Sequence, residues 1–143
     1  RAGCGREGTI TGIYTVLVAG DDTNEPIADA ARGILDGHFV LSRKLTSKGH
    51  YPPLDIMASL SRVMPMVTTP EHVRAANELR ELVAAYLDVE DLVSIGAYKP
   101  GTKPLADQAI AKWDRINQLL RQDRLENAAF DQALSELEDL VRA

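Results

Sequence analysis

With 143 residues, 45% hydrophobic and 26% charged, the chain has room for one ordinary domain or two small ones. A net charge of −5 at pH 7 argues against nucleic acid as the main partner, because phosphate binding draws on a clustered basic surface. Apolar runs of only a few residues exclude a membrane-spanning helix, and the single cysteine, Cys4, excludes an internal disulfide and favours a reducing compartment.

The opening RAGCG has no Met and no basic-then-apolar leader, so a piece of a longer chain is expected. Residues 9–18, TITGIYTVLV, carry apolar side chains on both parities: Ile10, Tyr14, Val16 and Val18 on one, Ile13 and Leu17 on the other. This predicts a strand covered on both faces, as in a parallel sheet between helices; with its neighbours absent, such an edge is expected to self-associate. Residues 20–24, GDDTN, read as a turn, and Pro26 suits the first turn of a helix. Ile27, Ala30, Ala31, Ile34 and Leu35 then repeat at helical spacing, with Gly37 expected as a left-handed cap. Residues 38–41 predict a strand, Ser42 and Gly49 bracket a short helix, and residues 53–57 predict another strand.

After Pro65 the period becomes helical. Residues 71–95 predict one long helix with Val73, Ala76, Leu79, Leu82, Val83, Tyr86, Leu87, Leu92 and Val93 on an apolar face, ended by Gly96. Glu71, Arg74, Glu78, Arg80 and Glu81 read as its solvated side, with Arg74 and Glu78 spaced to pair. Residues 97–101 form a connector, Pro104 opens a helix that buries Leu105, Ala109, Trp113, Ile116 and Leu120, and Asn127 is expected to cap a third. There Phe130, Ala133, Leu134, Leu137, Leu140 and Val141 make the stripe. The fold class expected is α/β followed by all-α, as domains 1–67 and 68–143.

The residues carry no self-contained catalytic motif. G-x-x-x-x-G-K-[ST], whose backbone amides and lysine hold phosphates, does not occur, so the chain alone is expected not to hydrolyse ATP. A Walker-B carboxylate at the end of an apolar strand is also lacking, unless Asp21 or Asp22, after the first predicted strand, plays that part; acidic residues there are ordinarily turn formers. His38, His50 and His72 lack metal-ligand spacing, no metal site is expected, and Cys4 has no partner for nucleophilic chemistry.

Two stretches are distinctive: residues 20–45, GDDTNEPIADAARGILDGHFVLSRKL, and residues 49–64, GHYPPLDIMASLSRVM. Together they resemble the C-terminal half of the flagellar and type III protein-export ATPases, hexameric relatives of the rotary ATP synthase subunits. The likeness runs over residues 8–120 and thins beyond. It implies the C-terminal part of a RecA-like P-loop core followed by a helical C-terminal domain. The implied activity is Mg-ATP hydrolysis that energises export of flagellar or secreted proteins. ATP and Mg²⁺ would be held mainly by parts of the parent that precede this segment. The implied partners are further copies of itself in a homohexamer, a stalk protein, a regulator, an export chaperone or substrate, and an export gate at the membrane. The implied location is cytoplasmic, peripheral at the inner face of the cell membrane.

As a residue type, Arg62 between small and apolar neighbours reads as one half of a boundary ion pair; the resemblance makes it an arginine finger supplied in trans. Ser61 would orient that loop. Tyr51 reads either as a cover for the Pro52-Pro53 turn or, by resemblance, as the ring that packs on adenine. Phe130 reads as a helix-core residue; by register from Leu119 the resemblance makes it a second adenine-side aromatic. Asp21, Asp22, Asn24 and Glu25 read as a solvated turn and a helix N-terminal charge, or as the loop that touches the stalk. Tyr98, with Lys99 and Lys103, stands where the rotary subunits carry an acidic torque-transmitting hairpin, and contact with a stalk or cargo is the role implied. The alternative function is a non-catalytic helical module that binds a stalk protein or an export chaperone. A rotary ATP synthase subunit proper is disfavoured by the missing acidic hairpin and by the GDDTNEP loop.

Overall fold

The computed structural model describes residues 3–18 and 26–142. It divides into two compact units, Arg1–Leu35 and Asp36–Ala143. The expected stalk loop (Asp21, Asp22, Asn24, Glu25) lies outside the described residues.

In the first unit, β1 (Gly3–Cys4) and β2 (Thr9–Ile10) pair antiparallel around a turn closed by Gly5 N–H to Gly8 C=O at 2.7 Å. The long strand predicted over residues 9–18 ends at Ile10, and its partner is antiparallel. Ile13 and Leu17 are 92% and 91% exposed. A strand needs neighbours for its N–H and C=O groups, and a two-sided apolar strand needs cover on both faces. Among the described residues, 11–18 pair with no strand. Helix α1 (Pro26–Ile34) starts at the proline as expected, but its buried residue is Ala28, with Ile27 and Ile34 exposed.

The second unit opens with β3 (Gly37–Leu41), α2 (Arg43–Ser47) and β4 (Leu54–Ser61). The two strands run antiparallel, not parallel as in the expected sheet. Gly37 is no left-handed helix cap. It starts β3, where an added Cβ would stand 2.6 Å from the Leu60 carbonyl oxygen, so only glycine admits this approach of the strands. Gly49, by contrast, has φ of +67° and does close α2. β4 outruns its predicted length by four residues at the C-terminal end, which brings it to the residue before Arg62.

Helices fill the rest: α3 (Met64–Val67), α4 (Pro70–Leu87), α5 (Glu90–Ser94), α6 (Pro104–Leu120) and α7 (Phe130–Arg142). Thr69 caps α4 through its hydroxyl, which accepts His72 N–H at 3.2 Å, and Pro70 sits in the first turn. The helix predicted over 71–95 is broken at Asp88 and Val89. Val89 leaves the helical line and is 2% exposed, so the break turns a β-branched residue inward. The expected cap Asn127 is not used. Asp123 and Glu126 bond each other's backbone in a turn, and α7 begins only at Phe130, with Ala133 N–H reaching Ala129 C=O. Arg74 pairs with Glu71 at 2.9 Å, not with Glu78. Arg80 is no solvated charge either; its Nη2 donates to the Ser59 carbonyl at 2.8 Å.

The core lies between α4, α6 and α7: Leu79, Leu82, Val83, Ala109, Ile116 and Leu140, with Ile56 of β4 packed against it. Ala109 lets α6 approach closely, and Tyr86 stacks on Trp113 with ring centroids 3.5 Å apart and planes 6° from parallel. Lys112 of α6 donates to the carbonyls of Leu140 (2.9 Å) and Val141 (3.3 Å), satisfying the orphan end of α7. Ile116 is wholly buried. Ile116→Ala is expected to lower unfolding free energy by about 2–5 kcal/mol in urea melts, and Gly37→Ala by about 1–3 kcal/mol through its clash with Leu60.

Candidate functional site

Arg62 follows a strand whose register changes part-way. Gly37 pairs with Ser61 and His38 with Leu60, but Val40 pairs with Asp55 and Leu41 with Leu54. Between these sets β3 has only Phe39, whereas β4 has residues 56–59. Local polar groups close the gap. The Asp55 carboxylate accepts the N–H groups of Met57 (2.9 Å) and Ala58 (3.0 Å). The buried Ser59 hydroxyl donates to Asp55 C=O at 2.6 Å and accepts Val40 N–H at 2.9 Å. His38 Nε2 donates to Ala58 C=O at 3.0 Å, which makes this histidine structural, as expected. Arg80 then holds the Ser59 carbonyl from α4. With the strand so pinned, Arg62 N–H donates to Asp36 C=O at 2.7 Å, and the Arg62 residue is exposed.

Tyr51 occupies the loop between α2 and β4 and is 53% exposed. Its carbonyl accepts Gln122 N–H at 2.9 Å, and Pro53 C=O accepts Ser42 N–H at 2.8 Å. Beside it, His50 is only 7% exposed, donates its N–H to Leu45 C=O at 3.0 Å, and accepts Arg121 Nε at Nδ1 at 3.4 Å. Burial and the Arg121 guanidinium hold the His50 imidazole below its ordinary pKa, against a smaller opposing pull from the Leu120 backbone. Lys48 Nζ reaches Glu90 Oε1 of α5 at 2.8 Å, and that hydrogen bond lowers the Glu90 pKa.

Phe130 is not the helix-core residue its position suggested. It opens α7, is 67% exposed and tilts against the His72 ring at 6.0 Å. Tyr98 is half-buried: its hydroxyl donates to Asp107 Oδ1 at 2.8 Å, while Asp107 Oδ2 accepts Gly101 N–H at 2.8 Å. Partial desolvation and the bond to Asp107 raise the Tyr98 pKa. The connector borders a hollow of about 260 Å³ lined by Val89, Leu92, Tyr98, Lys99 and Lys103 among others. Among the described residues no three His, Cys, Asp or Glu side chains gather where a metal ion would sit. No described helix is long and apolar enough to cross a membrane.

The sequence reading missed Ser59, Arg80, Arg121 and Gln122. Ser59 is hidden in an apolar run, and Arg121 and Gln122 look like an ordinary solvated helix end.

The family described as T3SS EscN ATPase C-terminal domain matches residues 68–139. The chain belongs to that family. Residues 1–61 match the ATP synthase alpha/beta family, nucleotide-binding domain. The chain is 48% identical over 141 residues to the flagellum-specific ATP synthase of Bacillus subtilis (strain 168), covering 99% of this chain and 32% of that protein. It superposes on the assembled ATPase EscN of the enteropathogenic E. coli type III secretion system with TM-score 0.94 and 44% identity, over 99% of this chain and 34% of that one. It also superposes on EscN in complex with its central stalk EscO, with TM-score 0.88 and 42% identity, over 99% of this chain and 33% of that one. The chain thus spans about a third of the length of the curated relatives it matches. The α/β-then-helical class read from the sequence stands, with α3 to α7 as its helical part.

A lowered histidine pKa means the unfolded chain binds a proton that the folded chain refuses. Stability is therefore full above the ordinary value of about 6.5 and declines as pH falls below it, ahead of the carboxylate range. Urea melts of the chain between pH 7.5 and 5 are expected to show that decline, and His50→Asn is expected to flatten it. An unchanged slope in the variant would remove His50 as its cause.

Proposed function

We propose that this chain is the C-terminal part of a ring-forming ATPase that hydrolyses Mg-ATP to energise export of flagellar or type III secreted proteins. Residues 1–67 form the end of its RecA-like nucleotide domain and residues 68–143 its helical domain, a division supported by family matches that stop at 61 and start at 68. The observation that carries the reading is the place of Arg62, an exposed residue directly after a strand whose register is pinned by Asp55, Ser59 and Arg80. Phosphoryl transfer spreads charge over the γ-phosphate oxygens, and a planar, permanently charged guanidinium offers paired donors to it. Held at the chain's surface, Arg62 acts on nucleotide bound by the neighbouring copy of a homohexamer.

Tyr51 serves the base of nucleotide bound by its own copy, with Phe130 as a second, weaker aromatic neighbour. The residue types present fit the base and the γ-phosphate side: an aromatic residue and an arginine, both exposed. When bound, Mg²⁺ and ATP supply the metal-neutralised phosphoanhydride, and their main ligands belong to the parent. Tyr98 and the Asp21, Asp22, Asn24 and Glu25 loop meet a central stalk, in keeping with the stalk-bound EscN structure that this chain resembles. A regulator, an export chaperone or substrate, and an export gate complete the partners, with the ring in the cytoplasm against the inner face of the membrane.

Steady-state ATP turnover of the full-length protein, measured against protein concentration, tests this. Wild-type turnover is expected to rise cooperatively with concentration. Arg62→Ala is expected to lose about 10³-fold or more while still binding nucleotide. Turnover equal to wild type in the variant would overturn the mechanism.

A further inference from the structure

Tyr51 owes its place to groups far away in sequence. Helix α6 ends at Leu120, and the next two residues both turn back to the Tyr51 loop. Gln122 N–H holds the Tyr51 carbonyl at 2.9 Å. Arg121 Nε reaches Nδ1 of His50, the residue before Tyr51, across 71 positions of sequence. On the near side of the loop, Lys48 is tied to Glu90 of α5. His50 is nearly buried whereas Tyr51 is half exposed, so the loop is anchored at the histidine and presents the tyrosine. A surface arginine at a helix end gains little from an isolated polar contact. Here the same two-residue turn makes one bond to each of two consecutive loop residues, and that pairing fixes both the height and the rotation of the Tyr51 backbone.

We propose that Arg121, acting through His50 and beside the Gln122–Tyr51 backbone bond, is a positioning residue that holds the Tyr51 ring where a purine base stacks. The end of α6 thereby sets the base side of the nucleotide site. The proposal rests on the nucleotide reading of Tyr51 given above. A shift of the helical domain is carried to the base through this turn, because the loop has no slack between His50 and Tyr51.

Two measurements test it. In the 143-residue chain without nucleotide, amide hydrogen exchange at Gln122 is expected to quicken about tenfold in Arg121→Gln, since the turn loses its second anchor. In the full-length protein, Arg121→Gln is expected to raise the KM for ATP about three- to tenfold, the size of a partly lost aromatic–base stack, with kcat changed less than twofold. Tyr51→Ser is expected to raise KM at least as much, and the double variant no further, because Arg121 acts only through that ring. If Tyr51→Ser raises KM but Arg121→Gln does not, the positioning role is overturned and the nucleotide reading of Tyr51 stands. If Tyr51→Ser leaves KM unchanged, both fall. Unchanged exchange at Gln122, or additive effects in the double variant, would also overturn it.

Discussion

A single hydroxyl, that of Ser59, reconciles two registers in one strand pair. Where β3 and β4 change alignment, the Val40 N–H has no ladder partner, and a buried donor left unpaired is costly. Ser59 accepts it and returns its own proton to Asp55, while the Asp55 carboxylate takes the next two loosened N–H groups. Two consequences follow in space. The extra residues turn Ile56 toward the helical core, and the restored pairing beyond them delivers Arg62 at a fixed height past the end of the sheet. Bulges bend a strand and re-aim the side chains beyond them, and here the residue that follows is Arg62.

The helical half is a frame whose outputs lie elsewhere. Ile116 and Ala109 bring α6 against α4, the Tyr86–Trp113 stack locks their relative rotation, and Lys112 ties down the end of α7. From that frame Arg80, Glu90, Arg121 and Gln122 each reach a strand end or loop. Neither Arg62 nor Tyr51 sits on a helix. Both stand on short connections held by rigid elements.

Helical period was readable along the packed faces: α6 and α7 appear where Ala109–Leu120 and Ala133–Val141 repeat at helical spacing, while Leu105 and Phe130, which begin the same stripes, are exposed. It misled where the chain breaks for a tertiary reason, as at Val89, since an apolar residue turned inward by a kink keeps the period of an unbroken helix. Residues 9–18 have the composition of a doubly covered strand, yet pairing is a property of two segments, and composition reports one. Arg62 and Tyr51 could be singled out from the sequence because they lie in a dense local motif, and their nucleotide roles are proposals. Arg121 was not, because its partner stands 71 residues away and an arginine after a helix looks the same whether it meets water or His50.

What the sequence determined by itself was local and chemical: the helix starts at Pro26, Pro70 and Pro104, the acidic balance, the missing phosphate loop, and the run that carries Tyr51 and Arg62. Tertiary structure alone decided that β3 and β4 are antiparallel, that Gly37 is needed for strand approach and not for a cap, and that α6 ends against the Tyr51 loop. The physical reason is range. Proline geometry, charge and helical period act within a few residues, whereas register, close approach and long-range hydrogen bonds exist only after distant segments have met.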